Sequence, residues 1–163
     1  MEKILLIVLD GLGDRPLKEL EGQTPLEAAE KPNLNRLARK GITGLMDTIG
    51  VGVMPGSDTA HFALLGFEPE KVYFGRGPLE ALGIGFPLQK KDLAFRVNFA
   101  ALDAKGAIID RRAGRINSVA EFCKELDGIT IDKVKFFHKP STGHRAVLVL
   151  RGKGLSKSVS GND

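Results

Sequence analysis

Residues 54–61 read MPGSDTAH, so a serine, an aspartate, a threonine and a histidine follow directly on a proline and a glycine. Pro-Gly-Ser-Asp is ordinary turn and helix-start chemistry, and on that reading Ser57 is an N-cap. The other reading makes Ser57 a nucleophile at a helix tip, where unpaired N–H groups and the positive end of the helix dipole face an incoming phosphate. That field contributes only about 0.3–2 kcal/mol, too little to make an alkoxide at neutral pH. A divalent cation is strong enough, since it lowers the pKa of bound water from about 16 to about 7. A nucleophilic Ser57 therefore requires metal ligands close by, with hard oxygen or imidazole donors.

Two further residues fit that requirement. Asp10 ends the apolar run KILLIVLD and begins DGLGD. A carboxylate at the carboxyl end of a buried strand lies at the edge where open α/β sheets bind ligands, although it can equally serve the turn that follows. Asp14, later in the same loop, reads as an exposed turn residue. His61 stands four residues after Ser57 and shares its helical face; Asp58 and His61 could share a metal, while a lone helical histidine is more often structural or exposed.

A second group is basic. Asp110-Arg111-Arg112-Ala113-Gly114-Arg115 carries three arginines within five residues, in a loop after an expected strand. Arginine forks match phosphate and carboxylate oxygens; a solvated basic turn is the plain alternative. Arg96 and Asn98 alternate on the FRVNF strand, point to one face and extend the cradle. Other chemistry is missing: there is no P-loop, no CxxC, no complete GxGxxG, and no Asp-His or Asp-x-x-x-His pair. Asp10 and Ser57 alone cannot supply a two-metal site.

These residues need elements to position them. KILLIVLD reads as a strand covered on both faces. Pro32-Asn33 opens a helix whose Leu34 and Leu37 point inward and which Gly41 stops. ITGLMDTI reads as a second strand, and a helix runs from Ser57 to a stop at Gly66. After about residue 67 the texture changes. PLEALGIG reads as a short helix and LAFRVNFAALD as a strand. Asp103-Ala104-Lys105-Gly106 is a hairpin turn with AIIDRR as the returning partner. Ser118 to Glu121 has the capping-box pattern, opening a helix with Val119, Phe122, Cys123 and Leu126 on one face and a stop at Gly128. IDKVKFFHK and HRAVLVLRG are two more strands, so this half reads as α+β with an antiparallel sheet.

Apolar and charged fractions are ordinary for a soluble globular protein. A net charge of +4 is mild and suits solubility or an anionic small molecule. Nucleic-acid binders cluster basic residues with stacking aromatics, whereas this chain has no tryptophan and one tyrosine, Tyr73; nucleic acid is not an expected partner. Glycine, at 20 residues, is well above the usual share of about 7%. The single cysteine, Cys123, cannot form an internal disulfide and reads as a buried thiol. No secretory signal is evident, and no run approaches the roughly 20 apolar residues of a membrane span. A cytoplasmic protein with no membrane partner is expected.

Taken in order, LLIVLDGLGDRP, TPLEAAEKPNLNRLARKG and MPGSDTAH resemble the N-terminal part of the archaeal-type cofactor-independent phosphoglycerate mutases of the alkaline phosphatase superfamily. GRGPLEALGIG, AFRVNFA and DRRAGRI look like that family's inserted domain. The resemblance implies interconversion of 3-phosphoglycerate and 2-phosphoglycerate, in glycolysis and gluconeogenesis, through a phosphoserine. It implies two divalent cations, manganese with magnesium or cobalt able to serve, and no 2,3-bisphosphoglycerate. Carried over, Ser57 matches the nucleophile and Asp10 a metal ligand. Arg111, Arg112, Arg115, Arg96 and Asn98 match the grip on phosphoglycerate, with His144-Arg145 a further candidate. The implied fold class is α/β: part of an alkaline-phosphatase-like sheet between helices, residues 1–66; an inserted α+β substrate-binding domain, residues 67–155; and a linker, residues 156–163. Family members are much longer and hold further aspartate and histidine ligands beyond this span. The remainder of the same protein is thus an expected partner, and the chain alone is not expected to turn over substrate. The alternatives are another phosphotransferase or phosphodiesterase of the superfamily, and a non-catalytic phosphate-binding fragment.

Overall fold

A computed structural model describes residues 2–159. The chain divides into two compact units, Met1–Val72 and Tyr73–Asp163.

In the first unit the helices are α1 (Pro25–Ala28), α2 (Pro32–Lys40), α3 (Ser57–Leu64) and α4 (Pro69–Val72). Thr24 starts α1 with a capping box: its Oγ1 accepts from the Glu27 N–H, and the Glu27 carboxylate accepts from the Thr24 N–H at 2.8 Å. Those bonds, rather than burial, hold the Glu27 carboxyl below its ordinary range. Pro32 sits in the first turn of α2, where its missing N–H removes no helical bond.

Two expectations fail here. Residues 3–10 and 42–49 are not strands. A strand is defined by its ladder, and neither segment has a partner among the described residues. Their apolar side chains face solvent: Ile4 is 98% and Leu45 106% exposed relative to an extended reference. Leu34 and Leu37 do not point into a core either, being 45% and 63% exposed. No described residue of this unit is buried.

The second unit is built on a four-stranded antiparallel sheet. Its strands are β1 (Leu93–Asn98), β4 (Thr130–Ile131), β5 (Val134–Pro140) and β6 (Arg145–Arg151), ordered β1-β6-β5-β4. Register pairs Ala94 with Val149 and Arg96 with Val147, and Phe137 with Val149 on the other side. Because side chains alternate along a strand, Ala94, Val147, Val149 and Phe137 share one face. Helix α5 (Arg76–Gly83) covers it, packing Ala81, with Phe86 beyond its end, onto Val147 and Val149. The opposite face carries Val97 and Ala146 and takes α6 (Ala120–Leu126) through Val119 and Cys123. The antiparallel α+β reading of this half is thus what the backbone adopts. So is the hairpin, β2 (Ala101–Leu102) with β3 (Ile108–Asp110), closed where the Asp103 carboxylate accepts from Lys105 and Ala107.

Helix α6 departs from expectation in detail. Val119 is its N-cap with no side-chain cap, although Ser118 Oγ accepts from the Ala120 N–H at 3.2 Å. Val119 and Cys123 are buried, but Phe122 lies outside the core and packs on Phe99 with ring centroids 5.4 Å apart. Burial pushes the Cys123 thiol up, as suits a structural cysteine.

Two contacts fix the sheet to its surroundings. Gly77 presses α5 onto β1 so closely that a Cβ there would lie 2.0 Å from the Ala94 carbonyl oxygen. Arg151, at the end of β6, holds Asp92 through two bonds, Nε to Oδ1 at 2.9 Å and Nη2 to Oδ2 at 2.7 Å, and also donates to the Pro87 carbonyl. The Asp92 side chain is 2% exposed, and the guanidinium lies over Phe137. Among the described residues no helix is long and apolar enough to cross a membrane.

Candidate active site

Ser57 is the first residue of α3, not its cap. Gly56 is the N-cap, and the Thr59 hydroxyl closes the helix start by accepting from the Gly56 N–H at 3.0 Å and donating to the Gly56 carbonyl at 3.1 Å. The Ser57 hydroxyl is therefore not consumed by the helix. It donates to Asp10 Oδ2 at 3.3 Å, across 47 residues of sequence. The chain thus brings a hydroxyl and a carboxylate together at the positive end of a helix, both exposed. His61 turns its Nδ1 back to the Ser57 carbonyl, which leaves Nε2 as its ligand atom. Two hard oxygens at this separation fit adjacent donors to one divalent cation. They do not fill a coordination shell, and no group of three or more His, Cys, Asp or Glu residues forms a metal cluster among the described residues.

The arginine loop belongs to the second unit and follows β3. Its organiser is Asp110, whose carboxylate accepts from the Arg112 N–H at 2.8 Å and the Gly114 N–H at 2.6 Å. These backbone bonds, aided by the nearby charges of Arg112 and His144, hold the Asp110 carboxyl below the usual range. The loop passes through three consecutive left-handed residues, Ala113 (φ 46°), Gly114 (φ 64°) and Arg115 (φ 56°). Only glycine adopts that conformation without penalty, so the carboxylate clamp and the backbone distortion belong together. They present Arg111, Arg112 and Arg115 from one short turn. His144 lies beside this turn: its charge reaches Asp110, and its carbonyl accepts from the Phe99 N–H at 2.9 Å. Asn98 pairs in register with Arg145, so these residues gather at one end of the sheet.

Arg96 shares a strand face with Asn98 but sits two register pairs inward, opposite Val147 on the face that α5 covers. There it lines a cleft of about 480 Å³ together with Arg76 and Lys157. Arg76 and Lys157 escaped sequence reasoning. The signal for Arg76 was the GRGP turn, whose two glycines frame an arginine at a helix start; Lys157 stands in a polar tail and had none. Asp110 was also missed as the loop's organiser, although an aspartate whose oxygens serve N–H groups two and four residues on is a familiar turn pattern.

The sequence profile of the 2,3-bisphosphoglycerate-independent phosphoglycerate mutases matches residues 38–163. The chain belongs to this family. It is 52% identical to a mutase of that name from Methanobrevibacter smithii, over 99% of this chain and 40% of that protein. It is likewise 52% identical to one from Methanocaldococcus jannaschii, over 99% of this chain and 39% of that protein. Among solved structures, the cofactor-independent phosphoglycerate mutase of Thermoplasma acidophilum superposes with a TM-score of 0.51 at 48% identity, covering 91% of this chain and 39% of the other. The PH0037 protein of Pyrococcus horikoshii gives a TM-score of 0.67 at 41% identity, covering 88% and 35%. The chain thus spans about two fifths of the length of the mutases it matches.

Proposed function

We propose that this chain is the nucleophile-bearing part of a phosphoglycerate mutase that interconverts 3-phosphoglycerate and 2-phosphoglycerate without 2,3-bisphosphoglycerate. The observation that carries the reading is the meeting of Ser57 Oγ and Asp10 Oδ2 at 3.3 Å, in a chain of the mutase family. In the reaction, Ser57 Oγ loses its proton and bonds to the phosphorus. The bond from phosphorus to the glycerate oxygen breaks, and that oxygen takes up a proton. The glycerate then turns, and its other hydroxyl removes the phosphoryl group from the serine as the first step runs in reverse. Asp10 and Ser57 are the residues here that would hold a divalent cation, manganese in the first instance; when bound it supplies the positive charge that lowers a hydroxyl pKa. Arg111, Arg112 and Arg115, with His144 and Asn98, hold the acid during the turn, as fixed guanidinium forks do for oxyanions.

On this reading the first unit is the N-terminal part of a metal-binding, phosphatase-like domain and the second is the inserted substrate-binding domain. The exposed aliphatic runs at residues 3–10 and 42–49 support it: they have strand composition and lack only ladder partners, which the rest of a longer mutase would supply together with the remaining metal ligands. The compartment is the cytoplasm.

The test is Ser57→Ala in the full-length protein, assayed with manganese and 3-phosphoglycerate. Activity should fall to background, a loss of about 10⁶-fold by comparison with other deleted nucleophiles, with the unfolding midpoint nearly unchanged. A variant that retains mutase activity removes Ser57 as the nucleophile.

A further inference from the structure

Residues 141–144 form the turn between β5 and β6. Its backbone is tightly closed: the Ser141 N–H donates to the Arg145 carbonyl at 3.0 Å, and the Arg145 N–H donates to the Thr142 carbonyl at 3.2 Å. Gly143 completes it at φ 60°, a left-handed conformation that glycine adopts without penalty.

This turn meets the arginine loop at both of the loop's ends. At the entry, His144 lies close enough for its charge to act on Asp110, the loop's organiser. At the exit, a Cβ on Gly143 would stand 3.3 Å from the Ile116 carbonyl oxygen, so the two backbones are in close contact. The His144 carbonyl also accepts from the Phe99 N–H at 2.9 Å, which ties the turn to the chain leaving β1.

The other side of the turn is held from α5. Ser141 Oγ donates to Glu80 Oε2 at 2.6 Å, across 61 residues of sequence and in a partly buried setting. A short bond to an ionised carboxylate is charge-assisted and stronger than a neutral one. Helix α5 is itself firmly seated, through Ala81 in the core and Gly77 against β1. Glu80 therefore joins a fixed helix on one face of the sheet to a turn that touches Ile116, which packs with Val119, Cys123 and Ala146 on the opposite face.

We propose that Glu80 is a positioning residue: through Ser141 it sets the β5–β6 turn, and the turn braces the arginine loop, so that α5 fixes where Arg112 and Arg115 stand. The inference rests on the mutase reading for what the loop holds. A carboxylate is repelled by an anionic acid, so Glu80 acts through Ser141 and not by touching substrate.

Two measurements test it. In this chain, isotope-labelled, Glu80→Ala and separately Ser141→Ala should move the backbone amides of Gly143, His144 and residues 112–116. The amides of Thr130 and Ile131, on the far edge of the sheet, should stay in place. Glu80→Gln keeps an oxygen that accepts from Ser141, and should leave the loop amides near their original positions. In the full-length protein each alanine variant should raise KM for 3-phosphoglycerate about 3- to 10-fold and change kcat by less, because a grip kept through the whole reaction is uniform binding. The two alanine changes combined should cost no more than either alone, as expected of two groups that act through one bond. A bond with only a structural role would lower the unfolding midpoint and leave KM unchanged. Unmoved loop amides in both alanine variants, an unchanged KM, or additive losses in the double variant would overturn the proposal. Ser141→Ala leaves α5 intact and carries the same expectations if Glu80→Ala does not fold. If the full-length protein is not a mutase, the amide shifts still decide whether Glu80 positions the loop. If it is a mutase and the loop amides do not move, this inference alone is lost.

Discussion

Val147 and Val149 lie fully buried between a helix and neighbouring strands, whereas Ile4 and Leu45 stand almost wholly in water. All four are aliphatic residues in segments of strand composition. What separates the two units is not apolar content but closure. In the second unit β6 has β1 on one side and β5 on the other, with α5 and α6 over its two faces. In the first unit the described residues include helices, caps and one long-range polar contact, Ser57 to Asp10, without a buried residue. Apolar burial contributes about 25 cal/mol per Å², so it stabilises the second unit and does little for the first.

The largest expected difference is in amide exchange. In this chain the amides of Val147–Val149 should be protected about a thousandfold or more beyond those of residues 4–9, since core strands open only globally and unladdered backbone exchanges freely. Comparable protection in both segments, measured by mass-resolved hydrogen exchange, would erase the contrast.

Next comes the tie at the end of β6. Arg151→Ala leaves the Asp92 carboxylate, 2% exposed, without its partner. Breaking a buried pair costs about 3–5 kcal/mol, and the lower figure is expected because the Arg151 side chain is 28% exposed. Denaturant unfolding followed by near-ultraviolet signals of the second unit reads this directly.

Acid should act through the same pair. Hydrogen bonds from Arg151 hold the Asp92 carboxyl below the ordinary aspartate range, against the opposing push of burial. A carboxyl depressed in the folded state stabilises the fold at pH values above its unfolded pKa, and that stability is lost as pH falls through the folded value. The second unit should therefore hold its unfolding midpoint from neutrality to about pH 4 and weaken below. Asp92→Asn should flatten the acid limb; an unchanged limb would assign the acid sensitivity elsewhere.

The smallest of these effects is expected from Gly77→Ala. The new methyl would meet backbone atoms of Ala94 and Phe95 rather than a flexible side chain. Helix α5 must then lift from β1, at a cost of about 1–3 kcal/mol, confined to the second unit. A neutral result would mean that the α5–β1 contact is looser than its geometry.

Legibility followed the same division. The hairpin, the two long strands and the helix at residues 120–126 were readable because each element's partners lie within the same stretch of chain. KILLIVLD has the composition of a strand, but pairing is a relation between segments, and one segment's composition cannot guarantee it. Leu34 and Leu37 had helical spacing and no surface to face. At the candidate active site, Ser57 and Asp10 were identifiable by residue type, while their meeting across 47 residues was not. Arg76 was overlooked because an arginine at a helix start gains meaning only from what folds opposite it. The role of Asp110 was hidden behind the more conspicuous arginines it organises.

One detail of α3 reaches further. Because Gly56 and Thr59 close the helix between them, Ser57 can be exchanged for another small residue with little change to its surroundings. If the proposed function holds, a full-length protein so altered would keep its shape while stalled before its first bond is made. It could then be crystallised with unreacted phosphoglycerate in place, to see the acid before it turns.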